Sequence, residues 1–298
     1  MATVTSNPSV AAPPGSSASG PFTVRIEPPR GLFALRLREI WDYRELLYFF
    51  VWRDVKVRYK QTAIGILWVV LQPLLTMLVA TLFFGRLAKL PSQGLPYSVF
   101  CFAGVVPWTY FSTSLLNVTN VVVENQRVIT KVYFPRLILP VSAALSGLVD
   151  FSIAFLVLFV YTLTFGIHPT FTILFVPLFL LLAILTVLGV GLWLSALNAL
   201  YRDVRYLIPF LIQFWTLASP VYYSSQLVYS SQLIPERYRW LYGLNPMTGV
   251  IDGFRWALTG HGPVPSSVLI ASVVMVLFAV LGGLAFFNRM EGSIADRV

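Results

Sequence analysis

The chain has 298 residues, 57% hydrophobic and 11% charged, with a mean hydropathy of +0.76; soluble domains carry about 25% charged residues, so the composition excludes one and marks an integral membrane protein. The formal net charge of +9 fits either a nucleic-acid partner or cations gathered in loops facing anionic lipid, and the distribution of those cations decides between them. One cysteine, Cys101, excludes an intrachain disulfide, and two separated histidines, His168 and His261, cannot build a histidine-rich metal site, so no metal is expected.

Residues 1–30 carry Pro8, Pro13, Pro14, Pro21, Pro28 and Pro29 among Ser, Ala and Gly, without the continuous apolar core of a secretion signal; a disordered cytoplasmic tail is expected. Residues 31–62 read as an amphipathic interface region. On a helix there, Tyr48, Trp52, Val55 and Tyr59 fall at i, i+4, i+7 and i+11 and make an apolar-aromatic stripe. Arg53, Lys56 and Lys60 make a basic one, and Asp54 precedes Arg58 by four in the stabilising acid-to-base order. Such a helix suits the membrane interface, rings in the acyl boundary and cations at the headgroups. A basic flank that orients the first span explains the cations but not the aromatic face. Nucleic-acid binding is disfavoured, because no recognition fold accompanies the charge.

Residues 63–298 form a six-span, all-α membrane domain, since about 20 apolar residues cross a hydrocarbon core of about 30 Å. The spans are predicted near 63–85, 97–121, 139–165, 171–198, 206–223 and 266–288. With the N-terminus inside, only Arg86, Lys89, Arg237, Arg239 and Arg255 of the 21 Lys and Arg fall outside, so both termini are expected in the cytoplasm. No Lys or Arg sits within a predicted span. Asp150 is the one carboxylate at depth, either a functional acid or, as favoured, a carboxylate bonded to Ser or Thr of a neighbouring helix or lying near a vestibule.

Between the second and third spans, "VENQRVITKVYFPRLILP" mixes Glu124, Arg127 and Lys131 with Tyr133 and Phe134, and Pro135 and Pro140 limit any helix. This short amphipathic element either caps the two spans or fits a groove on a partner protein. No lysine follows a glycine, so the phosphate-holding Walker A sequence is absent and the chain is expected to bind no cofactor of its own. Any ATP-driven motor must be another polypeptide.

After the fifth span, residues 224–262 are rich in Tyr and Trp yet fall outside. Asn245 can cap a helix with Pro246 at its first position, Asp252 and Arg255 lie three apart on it, and Gly260 ends it. A helix this aromatic is expected to re-enter the membrane, its ends shielded by protein. Trp108, Tyr110 and Phe111 of the second span, with Phe214, Trp215, Tyr222 and Tyr223 of the fifth, are candidates to line an aromatic path, although rings at an interface also serve as anchors.

The phrases "WRDVKVRYKQTAIGILWVVLQP", "ENQRVITKVYFPRLILP", "NALYRDVRYLIPFLIQFWTLASPVYY" and "LNPMTGVIDGFRWALTG", in that order over most of residues 40–260, resemble the permease subunits of ATP-binding-cassette polysaccharide exporters, the group that exports O-antigens, teichoic acids and capsules. The resemblance implies a non-enzymatic homodimer in the inner membrane, paired with two copies of a nucleotide-binding subunit that holds ATP and Mg, and moving a lipid-linked polysaccharide outward. It implies that the segment from Leu46 to Lys60 is the interface helix, with Arg53, Lys56, Arg58 and Lys60 placed for lipid phosphate. Glu124, Arg127, Lys131 and Tyr133 would couple to the ATPase, and the helix of Asn245, Asp252 and Arg255 would be a re-entrant gate. The competing readings are a lipid or drug exporter of the same fold and a membrane glycosyltransferase or ligase. The latter would need catalytic residues in an outside loop, where only Glu236, Arg237, Arg239, Asp252 and Arg255 are available.

Overall fold

A computed structural model describes residues 41–60, 65–201, 203–230, 241–262 and 266–297. The expected tail at 1–30, the turn at 61–64, Arg202, and Glu236, Arg237 and Arg239 of the outside segment lie outside the described residues.

Among the described residues all regular structure is helical, as lipid demands of any segment that must satisfy its own backbone hydrogen bonds. Helix α1 spans Arg44–Lys60, α2 spans Gly65–Ala80 and runs on as a π-helical stretch over Thr81–Leu87, α3 spans Tyr97–Glu124, and α4 is the short Gln126–Ile129. Next come α5 (Ile138–Thr164), a 3-10 turn at Phe171–Phe175 leading into α6 (Val176–Leu200), α7 (Val204–Ala218), α8 (Ser225–Ser230), α9 (Pro246–Thr259) and α10 (Ser266–Arg297). Five stretches are long and apolar enough to cross a membrane: Gly65–Leu87, Tyr97–Glu124, Ile138–Thr164, Phe171–Leu200 and Val268–Met290.

The span expected at 206–223 is instead α7, a helix of 15 residues, about 22 Å long at 1.5 Å per residue. It stops at Ala218 because Ser219 takes an extended backbone (ψ 150), as the residue before a proline prefers, and Pro220 follows.

Helix α3 is the axis of the bundle. Of its most apolar stretch 78% is buried, against 17% for those of α2 and α10, and α2, α5, α6, α7 and α9 all pack on it. Helix α10 packs on the far side of α6, where small residues let the backbones approach. A Cβ on Gly189 would lie 2.9 Å from the Val280 nitrogen, and one on Gly282 2.7 Å from the Trp193 ring. Trp193 stacks on Phe286 at 4.9 Å and donates from Nε1 to the Ala279 carbonyl at 3.2 Å.

Helix α3 runs from Tyr97 to Glu124 and α5 returns alongside it. One end of the bundle therefore gathers the 124–138 turn, the end of α6 and the start of α7. The other gathers the 88–96 loop, the start of α6 and the chain around α8 and α9. These are called the Glu124 end and the Tyr97 end.

Candidate functional site

Helix α9 is built as its sequence promises. The Asn245 side chain accepts the Met247 N–H at 3.1 Å, Pro246 stands in the first turn, and Gly260 closes the helix in the left-handed region at φ 68. The same cap reaches beyond its own helix. Asn245 Oδ1 accepts from Trp215 Nε1 at 2.9 Å, while Nδ2 donates to the Ala218 carbonyl at 3.1 Å and to Ser219 Oγ at 2.9 Å. One side chain thus starts α9 and holds the end of α7.

Most of α9 is buried at the Tyr97 end of the bundle. Its Gly249 N–H donates to Ser272 Oγ at 3.1 Å, its Gly253 faces the Phe179 ring, and its Phe254 meets Phe151 and Phe155 edge-on at 5.9 Å. Arg255 points into the centre and is 1% exposed. It donates from Nη1 to Asp252 Oδ1 at 3.1 Å, from Nε to the Phe100 carbonyl at 3.1 Å, and from Nη2 to the Pro220 carbonyl at 2.9 Å, with the Val221 carbonyl at 3.4 Å. The guanidinium carbon lies 3.7 Å from the centroid of the Phe100 ring, a cation–π geometry. Gly104 makes the room: a Cβ there would sit 2.6 Å from the Val221 carbonyl oxygen and 2.7 Å from Arg255 Nη2. The arginine clamps α3, α9 and the extended chain after α7.

Around this clamp the tyrosines form a network. Tyr97 donates its hydroxyl to the Tyr222 carbonyl, and Tyr222 stacks on Phe84 at 5.4 Å with 7° between planes. Tyr223 donates to the Leu217 carbonyl at 3.0 Å and receives from Tyr242 at 3.3 Å, and Tyr229 meets Tyr242 edge-on at 6.1 Å. Gln93 Nε2 donates to Ser224 Oγ at 2.7 Å. Burial pushes the Tyr242 and Tyr229 hydroxyls above the ordinary tyrosine value, so both remain neutral hydrogen-bonding groups.

The seven aromatics singled out in the sequence fall in four places. Trp108 and Phe111 are buried, packed on one another at 5.2 Å, and Phe111 meets Trp215 edge-on at 5.0 Å. Tyr110 lies on another face of α3, donates to the Ala144 carbonyl at 3.2 Å and meets Phe151 edge-on. Phe214 is exposed on the outer face of α7. Tyr222 and Tyr223 belong to the network at the Tyr97 end.

At α1 the two predicted stripes divide. Tyr48 and Trp52 are exposed, but Tyr59 turns inward and donates to Asp150 of α5, which also pairs with Arg58. Helix α1 packs along α5, with Phe50 buried against Phe134 at 5.7 Å. The partners expected for Asp150, a Ser or Thr of a neighbouring span, are therefore replaced by a guanidinium and a phenol carried in by α1. The sequence held one signal, a lone acid at depth, and no way to name a partner 92 positions away. The four basic residues separate accordingly: Arg53, bonded to Asp54 at 2.8 Å, and Arg58 are half-buried, while Lys56 and Lys60 are exposed.

At the Glu124 end, Glu124, Arg127, Lys131 and Tyr133 are all exposed around α4, while Phe134 is buried. Asn125 steadies the turn, its side chain donating to the Val121 carbonyl at 2.8 Å and its carbonyl accepting the Val128 N–H at 3.0 Å. The result is a charged knob on an apolar root. Among the described residues no cluster of His, Cys, Asp or Glu is suited to a metal.

Comparison with known proteins finds relatives over most of the chain. The chain is 29% identical over 263 residues to the O-antigen export system permease protein RfbA of Myxococcus xanthus, covering 88% of this chain and 98% of that one. It is 26% identical over 253 residues to the protein of the same name from Klebsiella pneumoniae (85% and 94%), and 23% identical over 243 residues to the polysialic acid transport protein KpsM of Escherichia coli (80% and 91%). The profile of the ABC-2 type transporter family matches residues 45–259, from the first turn of α1 to the last residue of α9, and the chain belongs to that family.

Proposed function

We propose that this chain is the channel-forming permease subunit of an ATP-driven exporter that moves a lipid-linked polysaccharide, of the O-antigen type, from the cytoplasm across the inner membrane. The observation that carries this reading is the near end-to-end similarity to permeases named for O-antigen export and polysialic acid transport. Helix α7 and the extended chain after it serve as a sixth crossing, both termini lie in the cytoplasm, and the Glu124 end faces inward, as the bias of Lys and Arg supports. The chain works as a homodimer with two copies of a separate ATPase, on which ATP and Mg reside.

The exposed knob of Glu124, Arg127, Lys131 and Tyr133 docks on that ATPase. Helix α1 follows the membrane surface at its start, where Tyr48 and Trp52 face outward, and its exposed Lys56 and Lys60 meet lipid phosphate as point charges. Helix α9, capped by Asn245 and fixed by Asp252 and Arg255, is a re-entrant gate at the outer mouth, with Tyr222 and Tyr223 beside it presenting ring faces and hydroxyls to passing sugar. ATP binding on the partner shifts the permease between closed and open arrangements only by as much as its docking free energy differs between them.

The test is co-purification with the ATPase, followed by ATPase assay in lipid and export of lipid-linked glycan in cells. Arg127→Glu with Lys131→Glu is expected to weaken partner binding about tenfold or more, since like-charge juxtaposition at an interface costs several kcal/mol, and to abolish export at normal membrane levels of the permease. Full binding and export in that variant refute the docking site; export of a non-glycan lipid alone refutes the substrate.

A further inference from the structure

Two cavities open side by side against α3, one at the Glu124 end of the bundle and one at its middle. The first, about 370 Å³, lies between α1, α3 and α5 and is bordered by Arg53, Asp54, Glu124, Asn125 and Ser146. The second, about 490 Å³, lies between α2, α3 and α5 and is walled by Trp68, Val69, Pro73, Val106, Phe151 and Ala154. Arg58 and Asn117 line both, so the cavities meet at a polar neck where the Arg58–Asp150 pair also stands. The polar chamber is at the end of the bundle and the apolar one at its middle.

Depth and charge both narrow the occupant. From Asn117 to Val106 is eleven residues of helix, about 16 Å, or about half of a hydrocarbon core of about 30 Å. The apolar chamber therefore has the depth of one leaflet. The polar chamber carries both signs: Arg53 and Arg58 against Asp54 and Glu124, with Asp150 just below. A headgroup bearing only negative charge would meet the carboxylates, and one bearing only positive charge would meet the guanidiniums. A headgroup with a phosphate and a primary ammonium complements both, because an arginine has five N–H donors to divide between a carboxylate and a phosphate. A primary ammonium brings three donors to carboxylates, where a quaternary one brings none. At the neck, the Asn117 side-chain amide offers N–H donors at the level of ester groups.

We propose that this groove binds one zwitterionic aminophospholipid of the phosphoethanolamine class, its headgroup between α1 and the end of α3 and one acyl chain in the cleft between α2 and α5. The proposal rests on the two cavities and the charges that line them, not on what the transporter carries. A lipid here fills the space between α1 and α2 and links the helix beside the docking knob to the first span.

The purified protein is reconstituted in nanodiscs containing equal parts phosphatidylethanolamine, phosphatidylglycerol and phosphatidylcholine, and the lipid retained after mild delipidation is quantified by native mass spectrometry. Phosphatidylethanolamine is expected at about fivefold over either competitor, the ratio that roughly 1 kcal/mol produces. Asn117→Trp, which plugs the neck from α3, and Ala154→Phe, which fills the apolar chamber from α5, are each expected to abolish the preference. Asp54→Asn with Glu124→Gln is expected to turn it toward phosphatidylglycerol. Equal retention of the three lipids, a preference for phosphatidylglycerol in the unmodified protein, or a phosphatidylethanolamine preference that survives both plugging variants overturns the proposal. The measurement on the unmodified protein decides the matter even where a variant fails to fold.

Discussion

Arg255 has a hydrogen-bonding partner on every side, and that is what allows a guanidinium 1% exposed to persist inside an apolar bundle. Removing one partner of a buried pair leaves the other charge unsolvated, at a cost of about 3–5 kcal/mol. Arg255→Met is accordingly expected to cause the largest loss, because it strands Asp252 and empties the space beside Gly104 at once. Asp252→Asn costs less, since the arginine keeps the carbonyls of Phe100 and Pro220. Asp150→Asn costs least, because the amide oxygen still accepts from Arg58 or Tyr59 and the pair is only partly buried, its side chains 31% and 23% exposed. Thermal unfolding of the purified variants in one detergent checks that order; an Asp150→Asn transition below that of Arg255→Met would contradict it. Gly104→Ala, which drives a methyl into the guanidinium and a backbone carbonyl, is expected to fall near Arg255→Met.

Among the helices, five of the six stretches read from apolar length, and the helix read from its local caps, emerged near their predicted limits, while 206–223 did not. The stretch 139–165 became Ile138–Thr164, and α9 begins at Asn245 and ends at Gly260 as its residues dictate. Local chemistry sets these limits, so they are legible in one dimension. The α1 stripes were less so, because which face of a helix is buried depends on what packs there. Phe50 turned to Phe134 and Tyr59 to Asp150, and neither choice is encoded within α1. The same holds for Trp108 and Phe111, whose rings fill the interior beside Trp215. Between α6 and α10 the contact depends on absent side chains. Gly189→Leu forces a branched chain into the backbone of α10, an overpacking worth about 1–3 kcal/mol, whereas Leu281→Ala on the exposed face of α10 is expected to be nearly neutral. A lower unfolding temperature for the first and an unchanged one for the second is the expected pair of results.

For the molecule as a whole, the antiparallel course of α3 and α5 puts the 88–96 loop and the 124–138 turn at opposite ends. Cys101 is 0% exposed, so the native chain is already silent to a membrane-impermeant thiol reagent and single cysteines can be introduced without removing it. Lys89→Cys is expected to label from outside intact spheroplasts, and Arg127→Cys only after permeabilisation; the reverse pattern would invert the proposed topology. The tertiary pairings that make the groove and the clamp, Arg58 with Asp150 and Arg255 with the Phe100 carbonyl, join positions 92 and 155 apart, and only folding brings them together. The shortness of α7 bears on the surrounding lipid. At 15 residues and about 22 Å it falls some 8 Å short of an average hydrocarbon core. In the proposed crossing the extended chain after Ala218 makes up that difference. An extended backbone at that depth has to be shielded by protein, and the Arg255 bonds to the Pro220 and Val221 carbonyls supply part of that shield.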